Sequence, residues 1–261
     1  MWKLLYNLGL LIAAPVIIAV LWAKPRCRPG FSQRMGWRLP AAENAQTARP
    51  VIWVHAVSLG EIERALAAGY QAGLHNGHAE IVFTADVLDR ATLARVVELG
   101  VPVNCGSIDM LRQLGASKPG HPVWLRINPG FGHGHSNKTN TGGEHSKHGI
   151  WHGELDAALA EVRAQGLVLQ GLHMHIGSGV DYSHLQDVCG AMVDLVRRVQ
   201  AAGMDLHAIS AGGGLSIPYR AGEPVIDTDH YFSLWDGARQ TITSLLGHPV
   251  TLELEPGRYL V

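Results

Sequence analysis

The chain has 261 residues, 47% of them hydrophobic, and a formal net charge of −1 at pH 7. This length allows one large α/β domain or two small ones. The balance of acidic and basic residues excludes a general electrostatic attraction to nucleic acid or to acidic polymers. The three cysteines are far apart and form no C-x-x-C pair, which argues against a disulfide framework and against a structural zinc site.

The chain begins with an apolar stretch, residues 4–23, interrupted only by Tyr6 and Asn7. Its length matches the roughly 20 residues needed to cross a hydrocarbon core. A basic run follows, with no small-residue cleavage motif before it. These features predict an uncleaved transmembrane helix over residues 1–23, and they disfavour the alternative of a buried core helix. By the positive-inside rule, we expect an inner-membrane anchor with the rest of the chain in the cytoplasm.

Residues 24–50 are basic and then contain Pro, Ala and polar residues, which is typical of a connecting segment. From residue 51 onward, short apolar or β-branched runs alternate with helical patterns. The predicted strands cover residues 51–57, 80–84, 101–104, 123–128, 167–173, 206–210 and 250–255. The predicted helices cover residues 60–72, 89–99, 154–164, 185–202 and 231–246. The alternation over residues 51–261 predicts parallel strands, in an open doubly wound sheet or in an eight-stranded barrel that is one strand short.

Residues that could bind a ligand or take part in catalysis lie at the ends of the last three predicted strands. His173 and His175 end one strand, a glycine run from Gly212 to Gly214 follows the next, and Glu255 ends the last. Barrel enzymes carry their chemistry at these carboxyl ends. A glycine run there offers backbone N–H groups to a phosphate, so the pattern predicts a phosphorylated ligand. Taken singly, a histidine or a glycine run is more often structural.

A histidine-rich segment lies between the fourth and fifth predicted strands. Its histidines are irregularly spaced on a predicted loop, which favours solvated polar residues over a metal site. No metal is therefore assigned. The segment contains His133, His135, His145, His148 and His152.

Five short motifs occur in order along the second part of the chain. They are Leu125-Arg126-Ile127-Asn128-Pro129-Gly130, Ser146-Lys147-His148-Gly149-Ile150, His173-Met174-His175-Ile176-Gly177-Ser178-Gly179, Ala211 to Leu215, and Glu255-Pro256-Gly257-Arg258. Together they resemble bacterial diaminopimelate decarboxylase from about residue 58 to 261. The resemblance implies an α/β fold, a partial (β/α)8 barrel of the alanine-racemase type that contains strands 2–8. It also implies pyridoxal 5'-phosphate as cofactor, a homodimer, and decarboxylation of meso-2,6-diaminopimelate to L-lysine.

The same resemblance implies roles for individual residues. His175 would lie against the pyridine ring, and Glu255 would bond the pyridine nitrogen and keep it protonated, so that the ring accepts electrons as carbon dioxide leaves. Arg258 would contact the phosphate or the substrate carboxylate, which suits its two-pronged donor geometry. Ser178 and the glycine run would hold the phosphate. The implied cofactor-binding set is His175, Ser178, Gly212, Gly213, Gly214, Glu255, Pro256, Gly257 and Arg258.

The first sixty residues show a second resemblance. The apolar anchor, Gln33-Arg34-Met35-Gly36-Trp37-Arg38 and the string from Ile52 to Glu61 resemble the start of the transferase that adds 3-deoxy-D-manno-octulosonic acid to lipid A. That resemblance implies Glu61 as the catalytic base of an inverting sugar transfer. Because the two resemblances meet within Val57-Ser58-Leu59-Gly60-Glu61, the sequence predicts a chimera of two incomplete enzymes. The alternative is one evolved protein with an unusual anchor.

The junction is expected to limit catalysis. In the decarboxylases that the chain resembles, the first barrel strand carries the lysine that binds the cofactor covalently, and a carboxyl-terminal β domain follows the barrel. Neither part has a counterpart in the sequence, so we expect little or no turnover. The remaining alternatives are a transferase fragment and a non-catalytic, membrane-tethered module. The lysines are Lys3, Lys24, Lys118, Lys138 and Lys147.

Overall fold

The structure is a computed structural model that describes residues 55–56, 81–131, 142–144, 146–177, 182–215, 217–218, 223 and 225–255. The predicted anchor, the connecting segment and the predicted helix over residues 60–72 lie outside these residues. Among the described helices, none combines the length and the apolarity needed to cross a bilayer.

The described residues form eight strands, and every paired neighbour runs parallel. The main path has the order β1-β2-β3-β4-β6-β7-β8, and the short β5 pairs with β4. Each of the seven predicted strands overlaps a strand of this path. Only β5 was not predicted, because two residues are too few to show a periodicity. The strands are β1 His55–Ala56, β2 Val82–Ala85, β3 Val103–Cys105, β4 Pro122–Asn128, β5 Ile150–Trp151, β6 Val168–His173, β7 Ala208–Ser210 and β8 Thr251–Glu253.

Five α-helices connect the strands in the described part of the chain: α1 Arg90–Leu99, α2 Ile108–Ser117, α3 Leu155–Ala164, α4 Tyr182–Ala201 and α5 Thr228–Leu246. Four of them overlap predicted helices. The sequence analysis missed α2, whose Gly115 lowers its helix propensity. Tertiary packing explains that glycine, because a Cβ at Gly115 would run into the side chain of Gln165.

Side-chain caps fix where the helices begin. Asp89 accepts a hydrogen bond from the Thr92 N–H at 2.8 Å, and Ser107 accepts one from the Met110 N–H at 3.3 Å. Both residues satisfy N–H groups that have no partner inside the helix. At the other end of α1, Gly100 adopts the left-handed conformation with φ 65° and closes the helix.

The core lies between the sheet and the helices. Phe83, Val103, Leu125 and Leu172 come from four strands and are each at most 1% exposed. Burial along whole strands such as β2 and β3 explains their continuous apolar runs, which are typical of parallel sheets. Helices α4 and α5 pack against each other beside β7 and β8. Within the described residues β1 pairs only with β2 and β8 only with β7, so the sheet is open between these two edge strands.

Candidate active site

The last three strands of the path end at one edge and in register. Ser210 of β7 pairs with His173 of β6 on one side and with Glu253 of β8 on the other. Backbone bonds continue this ladder beyond the strands, from Ala211 N–H to the Glu253 oxygen at 3.0 Å and from Glu255 N–H to the Gly212 oxygen at 2.9 Å. His175, Gly212 and Glu255 each lie two residues past one of the paired residues. The register therefore brings these three sequence-predicted residues together at the carboxyl end of the sheet.

Two glycines are required by how closely the strand ends approach. A Cβ on Gly212 would lie 2.6 Å from the Met174 oxygen and 2.8 Å from Cβ of His175, and its φ is 63°. A Cβ on Gly213 would lie 2.6 Å from the Glu255 oxygen. Real Cβ atoms do not approach this closely, so a side chain would clash at both positions. At Gly212 the positive φ also favours glycine. Together the two glycines form a cradle of bare backbone.

The N–H groups of the cradle bond to neighbouring side chains. Gly212 N–H donates to Oγ of Ser210 at 3.2 Å, and Gly213 N–H donates to Nδ1 of His175 at 3.0 Å. Because Nδ1 accepts this bond, the proton of the neutral His175 ring lies on Nε2. A phosphate that bound to the Gly213 N–H would have to replace His175 as its partner.

A second histidine lies behind Glu255. The side chain of His173 is 1% exposed and that of Glu255 is 10% exposed, and His173 Nε2 lies 3.1 Å from Glu255 Oε1. Neither ring nitrogen of His173 has hydrogen-bond geometry to a partner within the described residues. The sequence analysis noted His173 but gave it no role. Its spacing of two from His175 was the available signal, because residues two apart on a strand share one face.

A buried arginine feels the charge of Glu255. Arg126 is 8% exposed, and its Nη1 lies 3.5 Å from Oδ1 of Asp86, the residue that follows β2. Burial lowers the pKa of Arg126, while the Asp86 and Glu255 carboxylates partly offset that effect. The guanidinium therefore balances two carboxylates at this end of the sheet. Arg126 belongs to one of the five sequence motifs, but nothing in the sequence pattern indicates its contact with Asp86.

One histidine of the histidine-rich segment also belongs to this edge. His148 Nδ1 lies 2.8 Å from Oδ2 of Asp86, and its side chain is 23% exposed. His148 is therefore a partly exposed polar residue with a carboxylate partner, which the irregular spacing of the histidines did not indicate. Other predicted residues lie outside the described part of the chain, among them Ser178, Pro256, Gly257, Arg258 and Glu61, as well as His133, His135 and His145.

The comparison with known families agrees with this arrangement. The family model described as "Pyridoxal-dependent decarboxylase, pyridoxal binding domain" matches residues 52–261. The chain belongs to this family. Its match begins before about residue 58, where the sequence analysis placed the start of the resemblance, and it includes strand β1. Pyridoxal phosphate is the cofactor that family membership implies.

Individual relatives are similar to most of the chain. Diaminopimelate decarboxylase of Streptomyces coelicolor is 67% identical over 210 residues, and that of Escherichia coli K12 is 65% identical over 208 residues. A crystal structure of diaminopimelate decarboxylase superposes with a TM-score of 0.72 at 64% identity, covering 80% of this chain and 49% of the other. The matches cover 80% of this chain, which spans only 47% and 48% of the two relatives' length.

The described residues fit pyridoxal phosphate. Glu255 offers a mostly buried carboxylate suited to a protonated ring nitrogen, and His175 offers a flat ring beside it. Gly212 and Gly213 leave bare backbone where any side chain would fill the space. Both ring nitrogens of His173 are buried without a hydrogen-bond partner among the described residues, so this place can accommodate a polar group of a ligand. The described residues thus offer groups for the ring and its nitrogen, and a glycine backbone without side chains beside them.

Proposed function

We propose that residues 52–261 are the cofactor-binding part of a diaminopimelate decarboxylase, the enzyme that converts meso-2,6-diaminopimelate to L-lysine. The proposal rests on the meeting of His175, Gly212 and Glu255 at one sheet edge, together with identities of 65% and 67% to decarboxylases of that name. A Helicobacter pylori diaminopimelate decarboxylase complexed with L-lysine has the same fold, with a TM-score of 0.66 at 26% identity. It supports an amino-acid substrate.

In this proposal Glu255 holds a proton on the ring nitrogen of the cofactor. When bound, pyridoxal phosphate supplies a ring that accepts the electrons of the bond broken as carbon dioxide leaves. His173 Nε2 lies 3.1 Å from the Glu255 carboxylate, and Arg126 contributes positive charge nearby. His175 would pack against the ring of the cofactor, and Gly213 N–H orients its imidazole. Ser178, Pro256, Gly257 and Arg258 complete the cofactor set, and Arg258 also binds a carboxylate of the substrate.

We propose that this chain binds the cofactor without a covalent bond and turns over little substrate. Of the five lysines, the structure describes Lys118 and Lys147, and both are exposed. Lys118 caps the carboxyl end of α2, away from the strand ends that carry the site. Lys147 precedes His148 and is therefore the described lysine nearest the site edge. Neither lies on a strand, where the covalent lysine of the resembled decarboxylases belongs.

The amino-terminal segment completes the proposal on sequence grounds. Residues 1–23 anchor the chain in the inner membrane with the barrel on the cytoplasmic side. The segment up to about residue 61 resembles a sugar transferase with Glu61 as its base, and its last ten residues, 52–61, also lie within the decarboxylase family match. Removing residues 1–50 is expected to release the chain from sodium-carbonate-washed membranes. Equal membrane retention of both forms would contradict the anchor.

Cofactor binding tests the site directly. We expect the full chain, purified in detergent, to bind pyridoxal phosphate saturably. Quenching of tryptophan fluorescence measures this binding. Glu255→Gln should weaken binding by about tenfold, because a charge-assisted hydrogen bond contributes about 1.5 kcal/mol or more. The matched control is Glu98→Gln, whose carboxylate forms an exposed ion pair with Arg95 on α1. Equal affinity of the Glu255→Gln variant and the unmodified chain would contradict the proposal.

Two further measurements test the limited turnover. Borohydride reduction followed by peptide mapping should find no cofactor adduct on Lys147. Carbon dioxide release from meso-2,6-diaminopimelate should not exceed that of the Glu255→Ala variant. An adduct on one lysine, together with release above that control, would show that another lysine replaces the missing one.

A further inference from the structure

Two histidines and an aspartate meet at the amino end of the sheet, opposite the candidate active site. Asp205 and His207 directly precede β7, and His248 precedes β8. The pairing of Ala208 with Thr251, and the bond from Thr251 N–H to the His207 oxygen at 2.9 Å, hold these two connections side by side. We propose that Asp205, His207 and His248 form a binding site for a divalent transition-metal ion of the zinc type.

The hydrogen bonds of His248 carry the argument. Its Nδ1 lies 3.1 Å from the Pro249 carbonyl oxygen, and because a carbonyl only accepts, Nδ1 must carry the proton and donate it. In the neutral ring Nε2 then has a lone pair and no proton. That nitrogen lies 2.9 Å from both oxygens of Asp205, which also only accept. With Nδ1 bonded to the backbone, Nε2 is the ring nitrogen of His248 that can bind an ion beside Asp205.

A small shift of the side chains would let them share an ion. Two ligand atoms about 2.1 Å from one zinc ion at the tetrahedral angle lie about 3.4 Å apart. The Nε2 to carboxylate distance is 2.9 Å, so His248 and Asp205 would move apart by about half an ångström on binding the ion. The ligand atoms of all three residues lie within 4.8 Å of one another, and the His207 and His248 ring centroids are 5.1 Å apart. His207 is exposed, so its side chain can turn toward the ion at little cost.

Backbone groups orient two of the ligands, as is usual for metal sites. Pro249 accepts from the distal nitrogen of His248, and Leu206 N–H donates to Oδ1 of Asp205 at 2.8 Å. Two imidazoles and one carboxylate favour zinc, nickel or copper over calcium and magnesium, which prefer oxygen ligands only. The bound ion joins the α4–β7 connection to the α5–β8 connection. It thereby links the two strands whose other ends lead to Gly212 and Glu255.

Calorimetric titration of the full chain with zinc chloride at about pH 7.5 tests the site. We expect His248→Ala and His207→Ala each to weaken one zinc ion's binding by about tenfold or more. His230→Ala, which removes an exposed histidine from the first turn of α5, should leave the titration unchanged. Circular dichroism checks that each variant is folded. Calcium chloride should give no saturable heat at this site.

The double variant His207→Ala/His248→Ala separates this site from the histidine-rich segment. We expect it to bind one zinc ion fewer per chain than the unmodified protein, and we expect the difference to shrink as the pH falls from about 8 to about 6. The same stoichiometry and affinity in the double variant and the unmodified chain would overturn the proposal. This result does not depend on the pyridoxal phosphate site, since none of the three residues belongs to it.

Discussion

At the carboxyl end of the sheet His173 lies 3.1 Å from Glu255, and at the amino end His248 lies 2.9 Å from Asp205. The two pairs contain the same chemical groups at nearly the same distance, but they differ in burial. The side chains of the first pair are 1% and 10% exposed, whereas those of the second are 29% and 55% exposed.

Burial decides what each pair can do. Water screens the exposed pair, so protons and metal ions exchange there with solvent and its contribution to stability is small. At the buried pair little water is available to solvate a charge, so neighbouring groups and a bound ligand control it. The buried pair lies at the carboxyl ends of neighbouring strands, where His173 pairs with Ser210 and Glu255 follows Glu253 by two residues. The exposed pair lies in connections that run over the surface.

The largest expected effect is at the glycine cradle of the buried end. Gly212→Ala should lower the free energy of unfolding by about 3 kcal/mol, because the new Cβ would meet the Met174 oxygen and the backbone φ is positive. Urea denaturation measures this loss. The matched control is Gly190→Ala in α4, where nothing lies within 4 Å and alanine should stabilise the helix by about 0.5–1 kcal/mol. Equal stability of the two variants would contradict the cradle.

A smaller effect is expected when the buried histidine is removed. His173→Ala should lower the free energy of unfolding by about 2 kcal/mol, since it leaves a cavity beside the Glu255 carboxylate. It should also weaken pyridoxal phosphate binding severalfold. His121→Ala is the matched control, because His121 is buried equally well and bonds the Val101 oxygen at 2.8 Å away from the site. If both variants lose stability and both keep the cofactor affinity of the unmodified chain, His173 has a structural role only.

The smallest effect is expected at the exposed pair, and it depends on pH. The pKa of His248 is raised, so its stabilising contribution is present in acid and is lost as the pH rises through the folded-state value above 6.5. Burial raises the pKa of Asp205, but the hydrogen bonds from His248 and Leu206 outweigh it and the net shift is downward. The pair therefore stabilises from below pH 3.8 to above pH 6.5.

Thermal melting of the unmodified chain and of His248→Gln, with a chelator present, tests this window. The difference in melting temperature should be larger at pH 6 than at pH 9. A difference that grows with pH would have the wrong sign for a proton shared between His248 and Asp205.

Periodicity and turn chemistry predicted most of the secondary structure. Buried strands such as β4 and β6 appear as continuous apolar runs, and Asp89 and Gly100 mark the two ends of α1. Helix α2 was missed because Gly115 serves packing against Gln165, which lies fifty residues further along the chain. Local propensity contains no information about such a partner.

The sequence alone determined the alternation of strands and helices, the order of the five motifs and the position of His175, Gly212 and Glu255 at strand ends. Only the tertiary structure decided that His173 lies 3.1 Å from Glu255, that Asp86 and Glu255 both act on the charge of Arg126, and that Asp205 meets His248 across 43 positions of the chain. The physical reason is register. Periodicity identifies strands one at a time, but which side chains touch depends on which strands become neighbours and how they align.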